Sequence, residues 1–460
     1  MSKTFRAWSL DQALLLPPSV HDFVPAGHLS RFVVALVTEE LDLSAILASY
    51  RGEKGQPPYH PAMMVALLLY AYAVGIYSSR RIAKACVERV DFMAIVALDA
   101  PDFRTISEFR RRHLGALSAL FVQVLERCER AGLVKLGHVA LDGTKIKANA
   151  SKHKAMSYER MSKRAAELQA EVDGWLKAAE AADVVEDTAF GADKRGDEMP
   201  DWVANKQARL AKIREAKADL EAEVKAKAAA EQAARENHND KPRRGREAAP
   251  PAAVPEPKAQ RNFTDPESRI LKTRDGYIQG YNAQAAVDAH AQIIVAQTLS
   301  NNGSDQAQFA PLLDSIKANL KRNPDEASAD AGYCSAANLR TLSRRRIRGY
   351  IATGRQKHGS KSATTKRPAT PGSLLARMIT RLRRAGHRSR YRLRKQVVEP
   401  VFGQIKQARG FRQFLLRGIE GEGRMGDDLH RPQPPKARAR CRVSAIMYDR
   451  RQAAAKQTGS

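Results

Sequence analysis

Cysteine is nearly absent from this sequence. The four that occur, Cys86, Cys128, Cys334 and Cys441, are scattered and form no CxxC pair. That excludes a disulfide scaffold and a cysteine-based zinc site, and it fits a reducing, cytoplasmic setting. Long apolar runs are also missing. The longest, Ala62–Tyr77, stops at Ser78-Ser79-Arg80-Arg81 and reads as a buried core helix, not a bilayer span. The first twenty residues are interrupted by Asp11 and Pro17-Pro18, so they do not read as a signal peptide. No lipidation motif or basic amphipathic terminal helix points to a membrane partner. Acid is short relative to base: 50 Asp and Glu stand against 78 Lys and Arg, a formal charge of +28. An excess of that size calls for a polyanion partner, and nucleic acid is the usual one. With 43% hydrophobic residues over 460 positions, the chain can build two or three globular domains.

Residues 1–135 read as helical. His60-Pro61 opens a helix, Ser78 or Ser79 caps the stretch SRRIAKACVERVDFMAIV, and Thr105 with Glu108 forms a capping box ahead of EFRRRHLGALSALFVQVLERCERAG. Two helices with a short turn, the second starting at Arg80 and Arg81, suit a helix-turn-helix-like DNA reader; an ordinary helical bundle fits the pattern equally. At GHVALDGTKIKANAS the period changes, and a buried strand is expected to end at Asp142. Helical spacing returns over 155–236 through Met161, Ala165, Leu168, Val172 and Trp175, then Leu210, Ile213, Leu220 and Val224. This predicts a helical hairpin looping around Thr188–Asp201, followed by a Pro/Ala-rich linker, Pro242–Pro257. Strands and helices then alternate, giving an α/β core with a large insertion after its first strand. The expected organisation is a helical domain at 1–135, an α/β domain at 136–154 and 258–416, the insertion and linker at 155–257, and a tail at 417–460.

Three acids stand apart. Asp142 follows an apolar strand, and Asp330 lies in ASADAGYCS before a helix capped by Ser335. Glu399 is the one acid between Arg377 and Arg412 among ten arginines and two lysines. Pro400 should start or kink the helix at Glu399. Two strand-end carboxylates and one from a packed helix make a hard-oxygen site for Mg²⁺, and paired ions can cleave a phosphodiester. Any single acid at a strand end is more often a turn-former or cap, and Asp288 and Asp275 compete on the same grounds.

The segments LDGTKIKANAS, NFTDPESRILKTRDGYIQGYNAQAAVDA, ADAGYCS and RKQVVEPVFGQIKQARGFRQFLLRG, in that order, resemble the DDE transposases of bacterial insertion sequences. The helical section YHPAMMVALLLYAYAVGIYSSRRIAKA with RTISEFRRRH is similar to their N-terminal domain. The resemblance implies a ribonuclease-H-like core, so the expected fold class is α/β with a mixed sheet, an N-terminal all-helical domain and a helical-hairpin insertion. It also implies Asp142, Asp330 and Glu399 as a triad for two Mg²⁺ or Mn²⁺ ions. The implied partners are the terminal inverted repeats of a mobile element and target double-stranded DNA, with a homodimer in the DNA complex. Lys406 stands where the family places a phosphate-contacting lysine. Lys395 replaces the family's arginine, and Tyr391 is one residue off the tyrosine position. Arg394, Arg409 and Arg412, with Arg80 and Arg81, complete the expected DNA-contacting set.

After Leu416 the apolar periodicity stops and prolines cluster. Back-translating Gly423–Ala437 permits codons whose next frame reads AEWAMTCTAHNLLKL, which resembles the closing helix of these transposases. A frameshift near Ile419–Gly423 is therefore expected. Two rival functions follow: a nuclease without strand transfer, and a catalytically impaired remnant that only occupies the inverted repeats.

Overall fold

The computed structural model describes residues 19–50, 57–190, 201–236, 254–273, 275–354, 369–385 and 390–417. The Pro/Ala-rich linker up to 253, the polar loop 355–368 and the tail from 418 lie outside the described residues. So does most of the hairpin loop expected around Thr188–Asp201.

The N-terminal part is helical: α1 (Leu29–Ala35), α2 (Ser44–Leu47), α3 (Pro61–Ala73), α4 (Ser79–Glu88), α5 (Val90–Val96), α6 (Phe103–Arg112) and α7 (Leu114–Arg130). The first turn of α3 is fixed by Pro61 at its start and by His60, whose Nδ1 accepts from the Ala62 amide at 3.2 Å. Almost every α3 side chain is buried, from Met64 to Ala73, and α1 and α5 pack against it. Two stretches expected as continuous helices are broken. Extended backbone at Arg89 (φ −125°, ψ 124°) separates α4 from α5, and His113 separates α6 from α7. The start of α6 also differs. Asp102, not Thr105, is the cap, accepting from the Arg104 and Thr105 amides, and Thr105 lies inside the helix. A carboxylate one turn upstream reaches the free N–H groups first.

A mixed sheet follows. Strand β1 (His138–Lys147) pairs antiparallel with β5 (Gly276–Asp288) and parallel with β7 (Glu326–Ala329), which pairs parallel with β8 (Arg348–Ile351). The far edge of β5 carries β4 (Arg269–Thr273) and then β6 (Ile294–Ser300). Between β1 and β5 the chain makes a small ribbon, β2 (Ala155–Ser157) with β3 (Gln260–Asn262), which roots the helix pair α8 (Tyr158–Phe190) and α9 (Asp201–Glu236). Met161, Leu168, Leu210, Ile213 and Leu220 form that pair's own buried seam. Helices α10 (Phe309–Leu320), α11 (Ala336–Arg344), α12 (Leu374–Ala385) and α13 (Leu393–Gly403) complete the layers.

One apolar core runs from α3 through Val134 and Leu136 into β1, β5, β6 and the buried face of α13. Tyr77 joins the two parts again, edge-on to Phe411 with ring centroids 5.1 Å apart. No helix among the described residues is long and apolar enough to cross a membrane.

Candidate active site

The strand expected to stop at Asp142 continues to Lys147, so Asp142 is a mid-strand residue. What stops near it is its neighbour. The parallel register His138↔Glu326, Val139↔Ala327, Ala140↔Ser328 is offset by 188, which brings Asp142 level with Asp330 just beyond the end of β7. The sheet thereby presents both carboxylates where β1 loses its partner. Asp330 caps the next turn, its side chain accepting from the Gly332 amide at 2.8 Å.

Glu399 comes from α13. Glu399 is not at the start of that helix, which begins at Leu393 and runs through Pro400. A proline there leaves the carbonyl four residues back without its helical donor, and Gln292 Nε2, from the turn between β5 and β6, donates to the Gln396 carbonyl at 2.9 Å. The helix is thus completed by the sheet. Val397, Val398 and Val401 face the core, while the Glu399 side chain is 52% exposed.

Between these acids lies Arg394. Its Nη1 is 2.9 Å from Asp142 Oδ2, with side chains only 13% and 18% exposed, and its Nη2 is 3.9 Å from Glu399 Oε1. The Arg394 guanidinium also stands 5.9 Å from the centre of the Tyr391 ring. Burial works against the guanidinium's charge, yet Asp142, Tyr391, Asp330 and Glu399 hold it above its ordinary range. Burial pushes Asp142 up to about 6, against the pull of Arg394 and the Gly143 amide, with Asp330 and Asp305 adding to the rise. Asp330 is raised for the same first reason.

The other expected residues are placed as follows. Lys406 lies within a π-helical turn, Gln404–Ala408, and its Nζ donates to the Lys145 carbonyl of β1 at 3.0 Å. That turn breaks the two-turn α-helical alignment of Lys406 with Glu399. Burial, then Arg412, lowers the Lys406 pKa. Arg412 donates to the Lys406 carbonyl at 3.2 Å and to Gln407. Arg409 backs onto the helical domain, its carbonyl 3.3 Å from where a Cβ on Gly75 would lie. Lys395 and Arg81 are exposed; Arg80, also exposed, sits over the Phe103 ring at 4.9 Å. The competing acids are not in the site. Asp288 accepts from the Leu136 and His290 amides, and Asp275 lies in the exposed turn between β4 and β5.

Sequence reasoning missed Asp305 altogether. It precedes a helix, so it reads as a cap, but it makes no side-chain cap hydrogen bond. Its carboxylate turns instead to the sheet, where Asn282 Nδ2 and Gln284 Nε2 both donate to Oδ1 at 2.8 Å.

Among the described residues no three His, Cys, Asp or Glu side chains are drawn together closely enough to hold a metal ion. The donor chemistry nonetheless suits a hard divalent cation, since the pocket offers carboxylate oxygens alone. Burial pushes Asp142 and Asp330 towards protonation, so a second cation beside Arg394 would favour their charged forms.

Residues 18–112 match the family model of a transposase domain, DUF772, and residues 253–424 match that of the transposase DDE domain. The two matches place the chain among the DDE transposases of insertion elements, and its process is DNA transposition. The second match spans Asp305, Asp330, Glu399 and Lys406; Asp142 lies in the stretch between the two. Neither the curated proteins nor the solved structures contain a match.

Proposed function

We propose that this transposase hydrolyses phosphodiester bonds at the ends of its element and joins the freed 3′-hydroxyls to target DNA, on a ribonuclease-H-like core. The observation that carries the reading is the level placement of Asp142 and Asp330 at neighbouring parallel strands, with Arg394 linking Asp142 to Glu399 of α13. The mixed sheet with a helical hairpin inserted after its first strand supports the same reading. Asp142, Asp330 and Glu399 would hold Mg²⁺ or Mn²⁺, which when bound activates water and stabilises the leaving oxygen.

The chain's own residues supply the rest. Arg394 fixes the orientation of Asp142 and keeps positive charge beside the place where a scissile phosphate must enter. Lys406 and Arg412, on the turn after α13, extend that charge along β1 towards the flanking backbone. The exposed basic residues Arg80, Arg81 and Lys395 provide salt-dependent affinity for double-stranded DNA, and two chains hold two ends as a homodimer.

Cleavage and joining of a labelled end-bearing oligonucleotide with Mg²⁺ tests this. The native chain should cut and join, and Asp142→Asn and Asp330→Asn should each lose both steps while still binding the oligonucleotide. Cutting without joining would make the protein a nuclease. Binding without cutting would make it a remnant that occupies inverted repeats.

A further inference from the structure

We propose that Asp305 is a fourth carboxylate of this pocket and contributes Oδ2 to the divalent cation held by Asp142 and Asp330. The inference rests on the metal-dependent reading above and adds a residue to it.

The anchoring of Asp305 is specific. Asn282 and Gln284 are alternate residues of β5, so their side chains stand on the same face of the sheet. Both donate to Oδ1 at 2.8 Å. Gln284 is itself held, its Oε1 accepting from the hydroxyl of Tyr333, which is fully buried. Two donors on one oxygen leave the other free to turn. A Cβ on Gly332 would lie 3.0 Å from Asp330 Oδ1 and 3.4 Å from Asp305 Oδ2. The two carboxylates therefore approach the same small space from opposite loops.

Two glycines make the approach possible. A Cβ on Gly143 would collide with Gln284 and lie 2.8 Å from Asp305 Oδ1, so the residue after Asp142 must lack a side chain for Asp305 to come in. Gly332, the second residue after Asp330, keeps the same space open from the other strand end. A cap or a solvated surface acid needs neither glycine nor two buried amides. Glu399, by contrast, meets the pocket through Arg394 at 3.9 Å.

The test uses the full chain without DNA and Mn²⁺ alone, with binding followed by electron paramagnetic resonance. Asp305→Asn retains an oxygen to accept from Asn282 and Gln284 and replaces the charged pocket-side oxygen with an NH2 group, which cannot ligate a cation. Native-like circular dichroism with Mn²⁺ affinity reduced about tenfold or more is expected. Native affinity in Asp305→Asn, alongside a loss in Asp142→Asn, would confine Asp305 to packing and overturn the inference alone. Native affinity in both variants would overturn the metal-dependent reading itself. If Asp305→Asn does not fold, Asp305→Ser, smaller and uncharged, is read against the same two outcomes.

Discussion

Arg394 and Asp142 are 252 positions apart in the chain, and their side chains meet at 2.9 Å between α13 and β1. A buried charge pair of this kind is expensive to break from one side, because the surviving charge has lost its compensation. Arg394→Met should destabilise the protein by about 3 kcal/mol near neutral pH. Adding Asp142→Asn to Arg394→Met should restore part of the loss. Equal denaturation midpoints for the single and double variants would show that the pair is not coupled.

The raised carboxyl of Asp142 gives a pH dependence with a definite sign. In the unfolded chain it titrates near 3.8 and in the fold at about 6, so between these values the folded state keeps a proton the unfolded state has lost. Its contribution is fully present below the unfolded value and disappears as pH rises through the folded one. From about pH 4 to about pH 6 the native protein should lose about 2–3 kcal/mol relative to Asp142→Asn, then run parallel to it. Denaturant titrations of both proteins across this range check it, and parallel curves throughout would remove the pKa argument.

Gly143 is the tightest point of the pocket. Gly143→Ala drives a methyl into Gln284 and Asp305, and overpacking of this sort costs about 1–3 kcal/mol. Thermal unfolding should show that loss. The larger effect is expected on cleavage of the end oligonucleotide, because the displaced groups line the site. Native cleavage in a destabilised Gly143→Ala protein would mean that Asp305 can move without consequence.

Phe414 is 2% exposed and packs edge-on against Tyr281 and Phe411, with ring centroids 5.8 and 5.5 Å apart. Phe414→Ala should cost about 3–5 kcal/mol. Phe411 in turn touches Tyr77 of the helical part. The loss should therefore loosen that contact, seen as faster amide exchange around both Tyr77 and Phe411.

The coding DNA supplies a separate check on the tail. Its sequence near Ile419–Gly423 should contain a shift whose correction yields a closing helix with AHNLLKL. An unshifted codon series there would make the proline-rich tail native.

Much of the fold was legible because it is written in period. The apolar runs around β1, β5 and β6 and the three-four spacing of Met161, Leu168, Leu210 and Leu220 show in the chain as they do in the fold. The placement of Asp142 beside Asp330 follows from the parallel register of β1 with the short strand β7. Strands β2, β3 and β4 are too short and polar to signal themselves. Asp305 was hidden because a carboxylate before a helix looks the same whether it caps the helix or turns away. Arg394 was assigned to DNA on charge, but its ion pair with Asp142 depends on which face of α13 meets the sheet. The split at Arg89 carries no proline or glycine to mark it, and Gly115, just after the split at His113, reads as an ordinary helical position; tertiary packing decides both.

The helical part and the sheet share a single set of buried side chains, from α3 through Leu136 to β1. On the function proposed above, the separation between base pairs engaged by the helical face and a bond cut at Asp142 would be set by that shared interior, as on a ruler with fixed marks. A change of element end would then have to fit a length written in the apolar core.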